Sequence, residues 1–171
     1  MTVYVALLRA VNVGGTGMIA MGDLQALCER LGFDGVRTVL QSGNVVFRSR
    51  RSRSSTQDLL AAALAAKMKA PVTVVLRTPA ELRGALKSNP FPKAQTNRVI
   101  VFFSEERPDR SALERLTIPG NEDVRLEGRE IFVHYPDGQG RSKLKLPHAK
   151  TATGRNLNTV AKLLEAADQV R

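Results

Sequence analysis

At 171 residues, 43% hydrophobic and 25% charged, the chain has room for one large domain or two small ones and is too apolar to be disordered throughout. Its single cysteine, Cys28, excludes an internal disulfide and a clustered thiolate metal site, and its apolar runs are strand-sized, too short to span a bilayer. A net charge of +10 favours polyanionic partners or serves solubility.

The chain opens on a run from Thr2 to Arg9, rich in β-formers and apolar on both faces, as a central strand covered on both sides requires. It lacks the basic and long apolar segments of a secretion signal, so the cytoplasm is the expected compartment. A glycine-rich loop from Ala10 to Gly17 leads to a helix predicted from about Met21 to Gly32. Its stripe of Leu24, Leu27, Cys28 and Leu31 has the spacing of a buried face, which reads Cys28 as core and not as a reactive thiol. Gly32 closes this helix through its tolerance of left-handed φ. Strand two, Val36 to Gln41, meets strand three, Val45 to Arg48, through Ser42, Gly43 and Asn44, a hairpin signal. Ser55 is the predicted cap of a second helix, with Asp58 three residues on and Leu60, Leu64 and Met68 along one face. Strand four is Val72 to Arg77. The order is β-α-β-β-α-β, the split ferredoxin-like pattern.

Thr78, Pro79 and Glu81 carry the cap, first-turn proline and reciprocal acid of a third helix, which stops at the Pro90 and Pro92 pair. The second half follows with a strand at Arg98 to Phe103, a helix near Asp109 to Leu116, and a hairpin of Val124 to Leu126 with Ile131 to Tyr135. A polar, basic loop from Pro136 to about Thr153 then leads to a final helix at Asn156 to Val170, with Leu157, Val160, Leu164 and Ala167 inward. The expected fold is therefore α+β. It has two ferredoxin-like halves of antiparallel sheet with helices packed on them, the second lacking its last strand, as a degenerate duplication would leave. The expected boundaries are residues 1–78, a linking helix and Pro-rich turn at 79–97, and residues 98–171.

Basic residues crowd two expected loops, Arg48, Arg50, Arg51 and Arg53 in one and Arg141, Lys143, Lys145, Lys150 and Arg155 in the other. The plain reading of both is a solvated surface.

Three stretches carry a resemblance: Leu7 to Gly15 (LLRAVNVGG), Leu40 to Phe47 (LQSGNVVF) and Thr153 to Thr159 (TGRNLNT). In order and spacing the chain resembles the domain of unknown function 1697 family, small bacterial proteins with no established activity. The resemblance implies an α+β fold of ferredoxin-like units and supplies no substrate. The family usually has tryptophan where this chain has Leu157. The leucine keeps an apolar contact and removes an indole N–H and a stacking plane.

Topology locates a candidate site. In a β-α-β-β-α-β unit the first two strands run the same way, so the loop after strand one and the hairpin between strands two and three share one end. Gly14, Gly15 and Gly17 can turn backbone amides outward just ahead of a helix N-terminus, while Asn12, Gln41, Ser42 and Asn44 add neutral donors and acceptors. The spacing fits neither a P-loop nor a dinucleotide fingerprint. Glycines that only turn the chain and a Ser-Gly-Asn that only makes a hairpin are the plain alternative. Arg155, Asn156, Asn158 and Thr159 exceed what one helix cap needs, so some of them should reach another segment. The candidate ligand-binding residues are Asn12, Gly14, Gly15, Gln41, Ser42, Asn44, Arg155, Asn156 and Asn158.

No carboxylate, histidine or cysteine falls in that patch, so no general acid or base is evident and whether the protein is an enzyme stays open. His134 and His148 have no ligand spacing to acids, and no metal or cofactor is expected. The leading expectation is a small anionic ligand bearing phosphate or carboxylate. The alternatives are a nucleic-acid-binding module, for which Tyr4 and Phe47 would be the stacking residues on the middle strands, and an oligomerising scaffold such as a homodimer. No membrane partner is expected.

Overall fold

The computed structural model describes residues 1–9, 19–40 and 43–170. It is an α+β protein with two four-stranded antiparallel sheets. The chain divides into two compact units, Met1–Leu82 together with Lys162–Arg171, and Arg83–Ala161. Both divisions fall inside helices.

The first unit holds β1 (Thr2–Leu8), α1 (Met21–Arg30), β2 (Asp34–Thr38), β3 (Asn44–Ser49), α2 (Arg53–Met68) and β4 (Val74–Arg77), and α3 (Pro79–Lys87) begins in it. The sheet order is β2-β3-β1-β4, so β1 is a central strand. Alternation sends Tyr4, Ala6 and Leu8 to one face, where they form a core with Phe47, Leu24, Leu27, Cys28, Leu60 and Leu64. Val5, Leu7, Val46 and Val75, which alternate to the other face, are fully buried as well. This is why β1 reads apolar throughout. Phe33 stacks on Phe47 at 4.3 Å between ring centroids. The end of the chain belongs to this unit, where Arg37 Nη1 donates to Gln169 Oε1 at 2.6 Å.

Several sequence expectations shift here. The cap of α2 is Ser52, whose hydroxyl accepts from the amide of Ser55 at 3.2 Å. Ser55 is therefore the third helical residue and not the cap, because Ser52 already offers the same acceptor one turn earlier. The first basic cluster is not one loop. Arg48 lies on β3, and Arg53 sits in the first turn of α2 and pairs with Glu81 at 2.8 Å, which leaves Arg50 and Arg51 exposed in the connection. Strand β2 starts earlier than expected and slips register between Asp34 and Arg37.

The second unit holds β5 (Val99–Phe103), α4 (Arg110–Glu114), β6 (Asp123–Glu127), β7 (Glu130–His134) and β8 (Thr153–Asn156), and α5 (Leu157–Asp168) begins in it. Its sheet order is β6-β7-β5-β8. The expectation of a missing last strand is corrected: Thr153–Asn156 forms β8 and pairs with β5 from Ile100↔Asn156 to Phe103↔Thr153. The element lacking between β7 and β8 is an α-helix. One face of this sheet carries Ile100, Phe102, Ile131 and Val133, and Leu144 and Leu146 of the intervening connection pack against it. Gly154 faces Phe102 across the ladder, where a β-carbon would lie 2.8 Å from Cε1 of the ring. The missing side chain lets that ring lie across the edge strand.

Candidate functional site

At one end of the first unit the described flanks of both candidate loops meet. The amide of Leu8, the last residue of β1, donates to the carbonyl of Gly43 at 2.9 Å, and Leu7 pairs with Asn44 in the ladder. The next amide, of Arg9, donates to the carbonyl of Thr73 at 3.0 Å, so the α2–β4 connection arrives at the same end. Arg9 is half-buried there. Asn12, Gly14, Gly15, Gln41 and Ser42 lie outside the described residues.

The first helix begins just past the glycine-rich loop. Ala20 stands at its N-cap and has no side-chain acceptor to offer the amides of the first turn. The other α-helices have such acceptors: Ser52 for α2, Thr78 and Glu81 for α3, Asp109 for α4 and Asn156 for α5. Across the hairpin, Leu40 takes φ 59° and is exposed, a backbone conformation that leucine rarely adopts.

Asn44 has a structural engagement. It is 1% exposed, its Nδ2 donates to the carbonyl of Val39 at 3.0 Å, and its carbonyl accepts from the amide of Val39 at the same distance. These bonds close the hairpin from inside. Asn156 and Asn158 are engaged as well. Asn156 Oδ1 accepts from the amide of Thr159 at 2.8 Å and caps α5, while Asn158 Oδ1 accepts from the hydroxyl of Thr96 at 2.6 Å. Asn158 thus reaches another segment of the second unit. Arg155 is buried on β8, where its Nη1 donates to the hydroxyl of Thr153 and the carbonyl of Gly154. Burial pulls its guanidinium down to about 10, which leaves it charged at neutral pH. Leu157 is buried beside it in sequence, filling core.

Cys28 is fully buried, and burial, with a smaller contribution from the charge of Glu29, pushes its thiol up to about 12. Glu81 experiences opposing effects. Burial raises its pKa, but the Thr78 amide, the Arg53 hydrogen bond and the charges of Arg53 and Arg77 together hold it below the ordinary carboxylate value. Tyr4 and Phe47 lie under the helices of the first unit and offer no stacking surface. Among the described residues no three acidic, histidine or cysteine side chains gather as metal ligands.

The second unit has concavities that sequence reasoning missed. They line up along the β7–β8 connection. One of about 820 Å³ is lined by Phe102, Tyr135, Leu144, Lys145, His148 and Lys150 among others, and one of about 430 Å³ by Arg115, Lys143 and Lys145. Arg141, Lys143, Lys145 and Lys150 are exposed, whereas Arg155 of the same sequence cluster is buried. The alternation Lys143, Leu144, Lys145, Leu146 was the available signal, since it places apolar and cationic side chains on opposite faces of an extended segment.

Among the described residues no helix is long and apolar enough to cross a membrane. No match is found among curated proteins. The fold is similar to that of the conserved bacterial protein SP0830 from Streptococcus pneumoniae, at 23% sequence identity and a TM-score of 0.79 over 97% of this chain and 98% of that one. The family profile described as protein of unknown function (DUF1697) matches residues 1–132. The chain belongs to the DUF1697 family of proteins of unknown function.

Proposed function

We propose that the protein binds a small anionic ligand, bearing phosphate or carboxylate, at the end of the first unit where β1, the β2–β3 hairpin and the start of α1 come together. The hydrogen bond from Leu8 to Gly43 carries this reading, because it joins the described flanks of the two polar segments. A first turn of α1 without a side-chain cap from Ala20 supports it, since the amides and the positive end of a helix favour an anion. Arg9 adds a cation at the same rim.

In this reading the ligand is held by the amides of Gly14 and Gly15 and by the side chains of Asn12, Gln41 and Ser42. Asn44 shapes the hairpin beneath it. Arg155, Asn156 and Asn158 stand apart from it in this reading, since their side chains bond within the strand and helix start of the second unit.

The test is a thermal-shift series with inorganic phosphate, pyrophosphate, adenosine monophosphate and citrate on the full chain. A ligand that binds only the native state raises stability by about 2.7 kcal/mol at a hundred times its Kd, about 5 °C or more for a chain of this size. Asn12→Ala and Gln41→Ala should remove the shift while leaving the unliganded melting temperature within about 2 °C. No shift with any of the four, or a shift that both variants retain, contradicts the reading.

A further inference from the structure

We infer that the second unit carries a separate binding surface for single-stranded nucleic acid, formed by the β7–β8 connection and the sheet face beneath it. The observation behind this is an arrangement of apolar floor and cationic edge. Between β7 and β8 the chain forms no α-helix, only a 3-10 turn at Gln139–Arg141, and its later residues pack against the sheet face. Leu144 and Leu146 turn down onto the cluster of Ile100, Ile131 and Val133, and Lys143 and Lys145 turn out to solvent. These two exposed lysines, two residues apart, form a cationic edge.

The edge continues in both directions. Lys143 and Lys145 share the smaller cavity with Arg115, and Lys145 shares the larger one with Lys150. Among the residues lining these two cavities Arg115, Lys143, Lys145 and Lys150 are cations and Glu106 is the one acid, while a neighbouring cavity of about 630 Å³ has Arg141 and Lys143 beside Glu122 and Asp137. Such a series of cations complements a phosphodiester chain better than a compact anion.

The larger cavity separates nucleic acid from other polyanions. Its volume is about 820 Å³, and the half-buried ring of Phe102 forms part of its wall beside Leu144 and Leu146. A base turned inward from the backbone would meet the exposed part of this ring there, with lysines at the rim for its phosphates. Aromatic stacking beside a basic groove is the common means of holding single strands. A duplex hides its base faces within its own stack, so a single strand is the better fit.

The test is fluorescence anisotropy with labelled twelve-residue oligouridine and oligodeoxythymidine, titrated with the full chain at 50 and 200 mM salt. Four phosphate contacts imply that affinity falls about fifty-fold over that interval. Lys143→Glu with Lys145→Glu should weaken binding by about twenty-fold or more, and Phe102→Leu by about ten-fold with the salt dependence unchanged. Arg50→Glu with Arg51→Glu, on the first unit, should change affinity by no more than about three-fold. Melting curves identify any variant that has lost its fold, and Lys145→Glu alone then replaces the double variant. The tighter of the two oligonucleotides identifies RNA or DNA as the source. Absence of binding to both, equal losses from the two charge-reversal pairs, or binding of heparin as tight as that of the oligonucleotides and insensitive to Phe102→Leu would overturn the inference.

Discussion

The amide of Leu8 donates to the carbonyl of Gly43 at 2.9 Å, one residue before β1 gives way to the glycine-rich segment and one residue before β3 begins. Thirty-four residues of sequence separate these partners, and the antiparallel β1–β3 ladder brings them together. The adjacency of the two described loop flanks follows from this pairing.

Asn44 bears on the hairpin and not directly on a ligand. Asn44→Ala removes a buried donor and leaves the Val39 carbonyl without it, so a loss of about 1–3 kcal/mol is expected in urea unfolding. A loss below the error of the measurement would show that the hairpin does not need this bond.

Asn156→Ala should cost about 1 kcal/mol, the usual value of a helix cap, while Asn156→Ser or Asn156→Asp keeps most of it. Neither change should alter the phosphate-dependent thermal shift proposed for the first unit. A variant that lost the shift and kept its stability would return Asn156 to the ligand set.

Glu81 makes acid stability measurable at one residue. Its folded pKa lies below the ordinary value near 4.5, so its ionised form contributes stability that is fully present above that value. The contribution declines as pH falls through the folded pKa. Glu81→Gln should therefore reduce stability at pH 7 and flatten the acid limb of the stability curve below about pH 4.5. Parallel acid limbs for the two proteins would contradict the assignment.

Cys28 should resist modification. With the thiol buried and pushed up to about 12, a disulfide reagent at pH 8 should find almost no thiolate in the native protein and one full equivalent after denaturation. Rapid stoichiometric labelling of the native chain would show that α1 opens readily or that this packing is wrong.

Gly154→Ala would push a β-carbon against the Phe102 ring and the Ile100 side chain. The expected cost is about 1–2 kcal/mol by thermal or urea unfolding, and Phe102→Leu in the same chain should relieve part of it. Full additivity of the two changes would separate them physically.

The first unit was largely legible because its signals are strong and local. A continuous run of β-formers marks β1, the leucine stripe marks α1, and the reciprocal pair of Thr78 and Glu81 marks α3, where the Glu81 carboxylate accepts from the Thr78 amide at 2.8 Å. The cap of α2 was misplaced because Ser52, Ser54 and Ser55 are chemically equivalent candidates, and only chain geometry selects among them. Strand β8 was hidden for a different reason. Thr153, Gly154, Arg155 and Asn156 form an edge strand held by the backbone of β5, and they lack the apolar alternation that sequence patterns detect. Without apolar alternation in β8 the second sheet reads as incomplete and Arg155 reads as a loop cation. Of the candidate site, the meeting of the two loop flanks followed from topology. The structural engagement of Asn44, Asn156 and Asn158 did not, since an amide in a sequence does not reveal its partner.

The most direct test of the anion site is an amide-resolved NMR titration of the full chain with pyrophosphate. The account predicts saturable shifts at Gly14, Gly15, Ser42 and the first turn of α1, with Asn156 and Asn158 unmoved. Saturable shifts confined to the second unit, or none at the glycine-rich loop, would contradict it.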